Sequence, residues 1–592
     1  MSNTLHTPAD GRTGRKLRLG MILVTIGIVY GDIGTSPMYV MKSILEGNGG
    51  IGQVDEAFII GALSLVIWTI TLLTTVKYVI IALLFSVQHA GTSKIGKAFG
   101  PVMLTWFVFL GVEGLLHIFS VPAVLRAFNP VYAVRVLLSP GNKMGFMILG
   151  SVFLATTGAE ALYSDMGHVG KENIYFSWPV VKLCLILNYL GQGAWIIQNR
   201  ANAALFHLED MNPFFLMLPG ALRPFAVVLG AAAAVIASQA LITGSFTLVS
   251  EAILLDLLPH LEIRYPADTK GQLYIAKVNS ILWIGCSLVV LYFRSGARME
   301  SAYGLAITVT MLMTTLLITV YLARLRKKPA LAGLVLVVFG AIEVVFFLSS
   351  LGKFANGGYV TVVLTLVLLL VMVVWYRGTQ LERRYSIKLN LQDHIPTLER
   401  LHRDESIPLL ADNLVYLEGK RSSDFMDRDI LYSILDKDAK RAAAYWFVSV
   451  NVLNEPDKMY YEVETYGTDF IFRITLNLGF QRTPRVNLFL RQIVKDLLES
   501  GELPPQNKQY SIYGPTGVGT FKFCNIHKSV TTKTELSGLD ELVLHVKYAI
   551  RKLAGSMVHW YGLDYSSLIQ EHVPLITVAP SGAPQIHRKA GD

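Results

Sequence analysis

Ile26-Gly-Ile-Val-Tyr-Gly-Asp32-Ile-Gly-Thr-Ser-Pro37-Met-Tyr39 decides how this chain is read. The stretch lies in an apolar run that begins near Leu19 and is long enough to cross a bilayer. Gly31, Gly34 and Pro37 fall within seven residues, and a regular helix cannot continue through them. Proline lacks the N–H, and glycine is the conformationally freest residue. Carbonyls released by such a break need partners, which at membrane depth are protein, water or an ion. Half-helix ends and unwound carbonyls near the midplane are a recurring way to build ion sites. Asp32 sits in the break, where a carboxylate is costly unless it faces a cavity or a cation. The plainer alternative is a kinked helix whose Asp32 pairs with a lysine.

A second broken stretch has the same ingredients, Phe153-Leu-Ala-Thr156-Thr157-Gly-Ala-Glu160-Ala-Leu-Tyr-Ser-Asp165-Met-Gly-His168. Thr156 and Thr157 offer hydroxyl oxygens suited to replacing the hydration shell of a large monovalent cation. Back-bonding of these hydroxyls to the preceding turn is the competing expectation. Glu160 is placed at membrane depth, with Asp165 and His168 toward one end, His168 reading better as a surface histidine than as a proton relay. Weaker buried polar candidates are Glu113, Glu251, Lys77, Lys182 and Glu343, some of which are expected to snorkel or pair.

The surrounding composition agrees with a membrane setting. Of 592 residues 52% are apolar and only 16% charged, against roughly 25% in soluble domains. Mean hydropathy is +0.46. Ten apolar segments of spanning length are centred near Ile28, Thr71, Phe109, Leu154, Leu187, Ala237, Gly285, Thr310, Val344 and Leu368. After Tyr376 no 18-residue apolar run remains. There Ala444–Leu453 and Phe470–Leu478 read as strands, and Val486–Leu498 and Leu539–Leu553 as amphipathic helices. The expected division is a cytoplasmic tail over residues 1–18, a membrane domain over 19–376 and a soluble cytoplasmic α/β domain over 377–592.

The net charge of +9 fits basic residues gathered beside spans, not nucleic acid. With the amino terminus inside, inner segments hold sixteen Lys and Arg against nine outside, so both termini are expected in the cytoplasm. Cys184, Cys286 and Cys524 lie too far apart for a disulfide framework or a zinc-ligand pattern. No cofactor motif is read. Tyr513-Gly-Pro-Thr-Gly-Val-Gly519-Thr520 imitates a phosphate loop but lacks the lysine required after its second glycine. No nucleophile–base pair appears, so an enzyme is not expected.

Gly31-Asp-Ile-Gly-Thr-Ser-Pro37 and Thr157-Gly-Ala-Glu-Ala-Leu-Tyr-Ser-Asp-Met-Gly-His168 resemble the signatures of the Kup/HAK/KT potassium-uptake family. So do Leu187-Asn-Tyr-Leu-Gly-Gln-Gly193, Ile236-Ala-Ser-Gln-Ala-Leu-Ile-Thr-Gly244 and Ser301-Ala-Tyr-Gly-Leu-Ala306. The resemblance implies an α-helical membrane protein with a LeuT-like inverted-repeat core of the amino acid–polyamine–organocation type. It implies potassium uptake across the plasma membrane by K+/H+ symport. Asp32, Thr35, Tyr39, Thr156, Thr157 and Glu160 are then expected at the potassium site, with Asp32, Tyr39 and Thr157 as ligands. Glu113, Asp165 and Glu251 are the weaker candidates for a proton or cation route. Potassium, protons and lipid are the expected partners, with a second copy of the chain and a regulatory nucleotide at the carboxy-terminal domain as further expectations.

The chain departs from the family pattern after about Tyr78. Two spans normally follow there, carrying an acidic residue and a Thr-Pro-Ala helix that contributes to the cation site. Here Ala57 to Val87 runs for 31 apolar-rich residues, about 46 Å as a helix. That length suggests the start of one helix joined to the end of another, leaving an incomplete site and slow transport. The alternative expectation is a transport-inactive protein whose soluble domain keeps a binding role.

Overall fold

The computed structural model describes residues 22–23, 25–27, 30–69, 96–139, 145–158, 171–202, 205, 211–265, 273–294, 296–419, 425–453, 455–506, 517–529 and 537–574. It divides into two units, Met1–Leu248 with Lys277–Val367, and Val249–Ala276 with Leu368–Asp592.

The first unit is helical. The opening stretch forms a short helix α1 (Gly31–Thr35), a 3-10 turn over Ser36–Met38, and a helix α2 (Val40–Gly47). The interruption falls where glycine and proline require it: Pro37 opens the 3-10 turn, and Tyr39 leaves helical geometry at φ −133°. Next come α3 (Glu56–Thr69) and α4 (Gly96–Ile118). A short α5 (Leu149–Val152) tightens into a 3-10 turn over Phe153–Thr156, and Thr157 is extended. The long helices α6 (Lys171–Asn199), α7 (Arg223–Leu254), α8 (Ala276–Phe293), α9 (Gly296–Val320), α10 (Pro329–Leu351) and α11 (Gly358–Tyr385) follow.

Seven helices among the described residues are long and apolar enough to cross a membrane, and they cover the expected segments from Phe109 and from Leu187 onward. The segment near Thr71 lies largely outside the described residues. Large apolar side chains stand on the outer surface, as on α8, where Trp283 is 71% and Ile281 67% exposed. A helix apolar around its whole circumference belongs in hydrocarbon, where such exposure costs nothing. Inward-facing packing relies on small residues: a Cβ on Gly191 of α6 would come within 2.5 Å of Gly114 in α4. Only bare backbone allows that approach, a habit of membrane helix pairs.

The second unit carries a six-stranded sheet. Its strands are β2 (Ala411–Leu417), β4 (Ala442–Leu453), β5 (Met459–Glu464), β6 (Ile471–Gly479), β7 (Phe521–Ser529) and β8 (Leu568–Pro574), while β1 (Lys388–Asn390) and β3 (Phe425–Asp427) form a separate pair. The order is β5-β6-β4-β2-β7-β8, parallel throughout except for β5 at the edge. Both faces are covered, so the central strands read as continuous apolar runs instead of alternating ones. Val415, Trp446 and Phe472 pack on one face with α13 (Val486–Ser500). Leu414, Tyr445 and Ile471, one residue out of phase, pack on the other with α12 (Ile395–Arg403). A helix α14 (Gly538–Ala554) is capped at its start by Ser537, whose hydroxyl accepts from Asp540 N. The expected strands and helices of this region therefore appear within two or three residues of their anticipated bounds.

Candidate functional site

The two broken stretches meet. Gly158 of the second one, with φ +96°, comes so close to the first that a Cβ there would lie 2.6 Å from Ile33 N and 3.0 Å from Asp32 Cβ. The left-handed conformation and the missing side chain are both needed, which only glycine supplies. This contact brings the hydroxyls of both stretches together. Thr157 Oγ1 lies 2.8 Å from the Tyr39 hydroxyl and 3.0 Å from Ser36 Oγ, and the two latter groups are 3.2 Å apart. Beside them the Tyr303 hydroxyl of α9 donates to Asp32 Oδ2 at 2.8 Å.

The released carbonyls are held by side chains from elsewhere in the helical unit. Trp106 Nε1 donates to Gly34 O at 3.0 Å, Gln192 Nε2 to Pro37 O at 2.8 Å, and Asn212 Nδ2 to Met38 O at 2.9 Å. Each donor offsets the cost of an unpaired carbonyl in a low-dielectric setting. Three carbonyls that the break freed thus already accept from protein donors.

Among the anticipated residues, Asp32, Tyr39 and Thr157 come together, and Ser36 and Tyr303 join them. Thr35 is buried next to the cluster, with its hydroxyl donating to Asp32 O at 2.7 Å. Thr156 Oγ1 donates to Phe153 O at 2.8 Å and Thr157 Oγ1 to Leu154 O at 2.9 Å, so both make the back-bond of the competing expectation, and Thr157 meets Tyr39 and Ser36 besides. Glu160, Asp165 and His168 lie outside the described residues. Glu113 is buried on α4, where its carbonyl meets His117 Nδ1 at 2.9 Å. Glu251 stands exposed near the end of α7. Ser36 could have been singled out, since it lies inside the signature stretch. Tyr303 and Gln192 lie in matching motifs, but nothing in the sequence tells that they face the break.

The chemistry of the cluster suits a monovalent cation. One carboxylate and several neutral hydroxyl oxygens converge at a water-poor junction between helix ends. Hydroxyl oxygens replace hydration at a modest field strength, and the carboxylate supplies the balancing charge.

In the sheet unit, the chain crosses from β2 toward β4 and β6 on one side and to β7 and β8 on the other. The carboxyl ends of β2 and β7 therefore flank the switch point where open α/β sheets bind ligands. Glu418, directly after β2, accepts from Arg473 on both carboxylate oxygens, with Nη2 to Oε2 at 2.9 Å and to Oε1 at 3.3 Å, and Nε to Oε2 at 3.1 Å. The Tyr466 hydroxyl accepts from Arg473 Nη1 at 2.7 Å. Burial raises the Glu418 carboxyl above its ordinary range, opposed by the neighbouring guanidinium. Of the glycine-rich segment before β7, residues 513–516 lie outside the described residues; residues 517–520 lead into β7 at the end of the sheet opposite Glu418. Thr520 N and hydroxyl both donate to Asp412 Oδ2, at 2.7 and 2.9 Å. A carboxylate of the chain itself takes those donors.

Two family models match. The one described as K+ potassium transporter integral membrane domain covers residues 19–83 and 79–380, and K+ potassium transporter C-terminal domain covers 411–575. The chain is 45% identical to "Probable potassium transport system protein Kup" of Enterococcus faecalis, across 96% of this chain and 97% of that one. It is 43% identical to the protein of the same name from Latilactobacillus sakei, across 98% of each. It is 46% identical to "Probable potassium transport system protein Kup 1" of Lactococcus lactis, across 94% of each. The Enterococcus alignment runs over 650 positions, yet 96% of a 592-residue chain is about 568 residues. Roughly 80 positions therefore have no counterpart here, and the membrane model breaks at 79–83.

Proposed function

The chain belongs to the Kup family of potassium transporters, and from that premise we propose that this multi-pass membrane protein takes up potassium across the plasma membrane with protons as the coupling ion. The near full-length likeness to potassium transport proteins does not favour the transport-inactive alternative. In this reading the core is a LeuT-like inverted repeat within about ten spans, and both termini face the cytoplasm. Asp32, Tyr39 and Thr157 hold the ion, with Ser36 as a further hydroxyl and Tyr303 orienting the carboxylate. Thr35 and Thr156 shape the turns that carry these ligands. Glu160 serves the proton or cation route, with Glu113, Asp165 and Glu251 as lesser candidates. The sheet domain takes a regulatory nucleotide at its switch point, and the chain assembles as a homodimer.

The observation that carries this reading is the junction itself, where Thr157 meets Tyr39 and Ser36 beside Asp32. The test is potassium-limited growth and rubidium or potassium uptake in a host lacking its own uptake systems. Asp32→Asn should abolish uptake while the protein still reaches the membrane, because the neutral amide no longer offsets the cation's desolvation. Undiminished uptake by a well-expressed Asn variant refutes the cation-site assignment.

A further inference from the structure

A second layer of polar contacts joins the two broken stretches, about one helical turn beyond the hydroxyl cluster. Ser43 of α2, whose N donates to Tyr39 O at 2.9 Å, directs its hydroxyl to Ser151 Oγ of α5 at 3.0 Å. Ser151 is fully buried. Onto the same oxygen Lys353, two residues past the end of α10, donates from Nζ at 2.8 Å. An ammonium group therefore sits on the serine pair that ties the outer halves of α2 and α5. Glu300 of α9, three residues before Tyr303, is the counter-charge: its carboxylate interacts electrostatically with Lys353, Lys42 and Glu46, and with Tyr39 of the cluster. Lys42 and Glu46 are themselves 3.7 Å apart, at the half-exposed rim of α2.

This arrangement has a consequence for ion passage. A primary ammonium and a bare potassium ion carry the same charge and seek the same oxygen ligands. A lysine whose ammonium is bound to hydroxyl oxygen between the two broken helices occupies a place that a permeating cation needs. It also repels that cation from the layer beneath, and the interaction is strong where water is scarce. An ion can pass only when the ammonium leaves Ser151, and Glu300 is the acceptor within its electrostatic reach. Neutral solutes and anions have no means of displacing it by charge.

We propose that Lys353 is a tethered cation that closes the outer mouth of the potassium pathway, holding Ser43 and Ser151 together until it swings to Glu300. The proposal rests on the potassium reading and on the orientation with both termini inside. It makes Lys353 a positioning and gating residue, not an ion ligand.

The test joins kinetics to accessibility in the full chain. In cells, Lys353→Met should lower the KM for potassium about threefold or more by removing the repelling charge, whereas Lys353→Arg should keep the parent KM. In a Ser36→Cys background, a membrane-impermeant thiol reagent added outside should modify the cysteine at least about threefold faster when Lys353→Met is present. Labelling is read against the parent chain with Ser36 intact. An unchanged KM and an unchanged labelling rate in Lys353→Met overturn the proposal, as does an Arg variant that behaves like the Met variant. If Lys353→Met fails to reach the membrane, Ser151→Ala decides. It removes the anchor and keeps the charge, so labelling should accelerate with KM within about twofold of the parent, and unchanged labelling overturns the gate. The labelling arm needs no transport. A chain that takes up no potassium but shows the accelerated labelling refutes the potassium reading and leaves the gate standing.

Discussion

Replacing Gly158 by alanine tests whether the junction of the two broken stretches is what binds the ion. Two costs are visible. The residue sits at φ +96°, where an L side chain is strained by about 1–2 kcal/mol. The added methyl would also lie 2.6 Å from Ile33 N and 3.0 Å from Asp32 Cβ. Ordinary contact begins near 3.4 Å, so the two stretches must part by roughly 0.8 Å along the first of these directions. Moving Thr157 with its neighbour by that amount would stretch its contacts to Tyr39 and Ser36 from 2.8 and 3.0 Å to the limit of a hydrogen bond or beyond. Losing two contacts of about 1 kcal/mol each weakens the organised site by one to two orders of magnitude. Potassium uptake measured against external concentration should therefore show a KM raised at least about tenfold, with the protein still present in the membrane fraction. Gly158→Ser should behave in the same way, since its clash and backbone strain are the same. A parental KM in either well-expressed variant would falsify the junction model.

Two further outcomes follow from the same geometry and from the sheet. Tyr303→Phe deletes the donor to Asp32 Oδ2, a bond to a charged group worth about 1.5–3 kcal/mol, and should raise the KM about tenfold or more with little change in protein yield; an unaltered KM removes Tyr303 from the site. In β7 and β8, His527 and His572 face each other with ring centroids 5.5 Å apart, and burial, then the charges of Arg551 and His572, lower the His527 pKa below its ordinary 6.5. The fold thus favours the neutral ring, so its stabilisation is full above the unfolded pKa near 6.5 and is lost as pH falls through the lower folded value. Amide protection over residues 521–529 and 568–574 of the full chain, corrected for the intrinsic pH dependence of exchange, should fall below pH 6.5, and His527→Gln should flatten that dependence; an equal slope in the variant refutes it.

The backbone break was legible in the sequence because its cause is local. Pro37 stops the short helix that holds Gly31 and Gly34 and opens a 3-10 turn, and Asp32 inside that helix marks the chemistry. The strands were legible because β-branched and aromatic residues crowd Ala442–Leu453 and Ile471–Gly479. What holds the break was not. Trp106, Gln192 and Asn212 reach the carbonyls of Gly34, Pro37 and Met38 from 72 to 174 residues away. No spacing rule encodes such a pairing. Of the partners expected for the released carbonyls (protein, water or an ion) it is protein that meets those of Gly34, Pro37 and Met38. Thr156 and Thr157 show the same limit at close range: both hydroxyls back-bond three residues upstream, to Phe153 O and Leu154 O, yet only Thr157, which leaves the 3-10 turn, also meets Tyr39 and Ser36.

The site's construction also bears on the roughly 80 positions that have no counterpart in this chain. The contacts described at the hydroxyl junction come from α1, the turn from Ser36 to Tyr39, the stretch over Phe153–Gly158 and α9, and the carbonyls are fastened by residues of α4, α6 and the segment before Pro213. None of these lies in the region where the family model breaks. The fastening continues away from the junction: Gln192 Nε2 also donates to Asn188 Oδ1, and Asn188 Nδ2 donates to Leu110 O in α4. That polar thread ends three residues from Glu113, which shares with Trp106 a seven-residue spacing and so one face of the helix. Glu113 is a buried carboxylate of α4, three residues along the helix from Leu110. Glu113 is buried while Glu251 is exposed, and within the potassium-uptake reading proposed above that burial favours Glu113 of the two as the candidate for a proton or cation route.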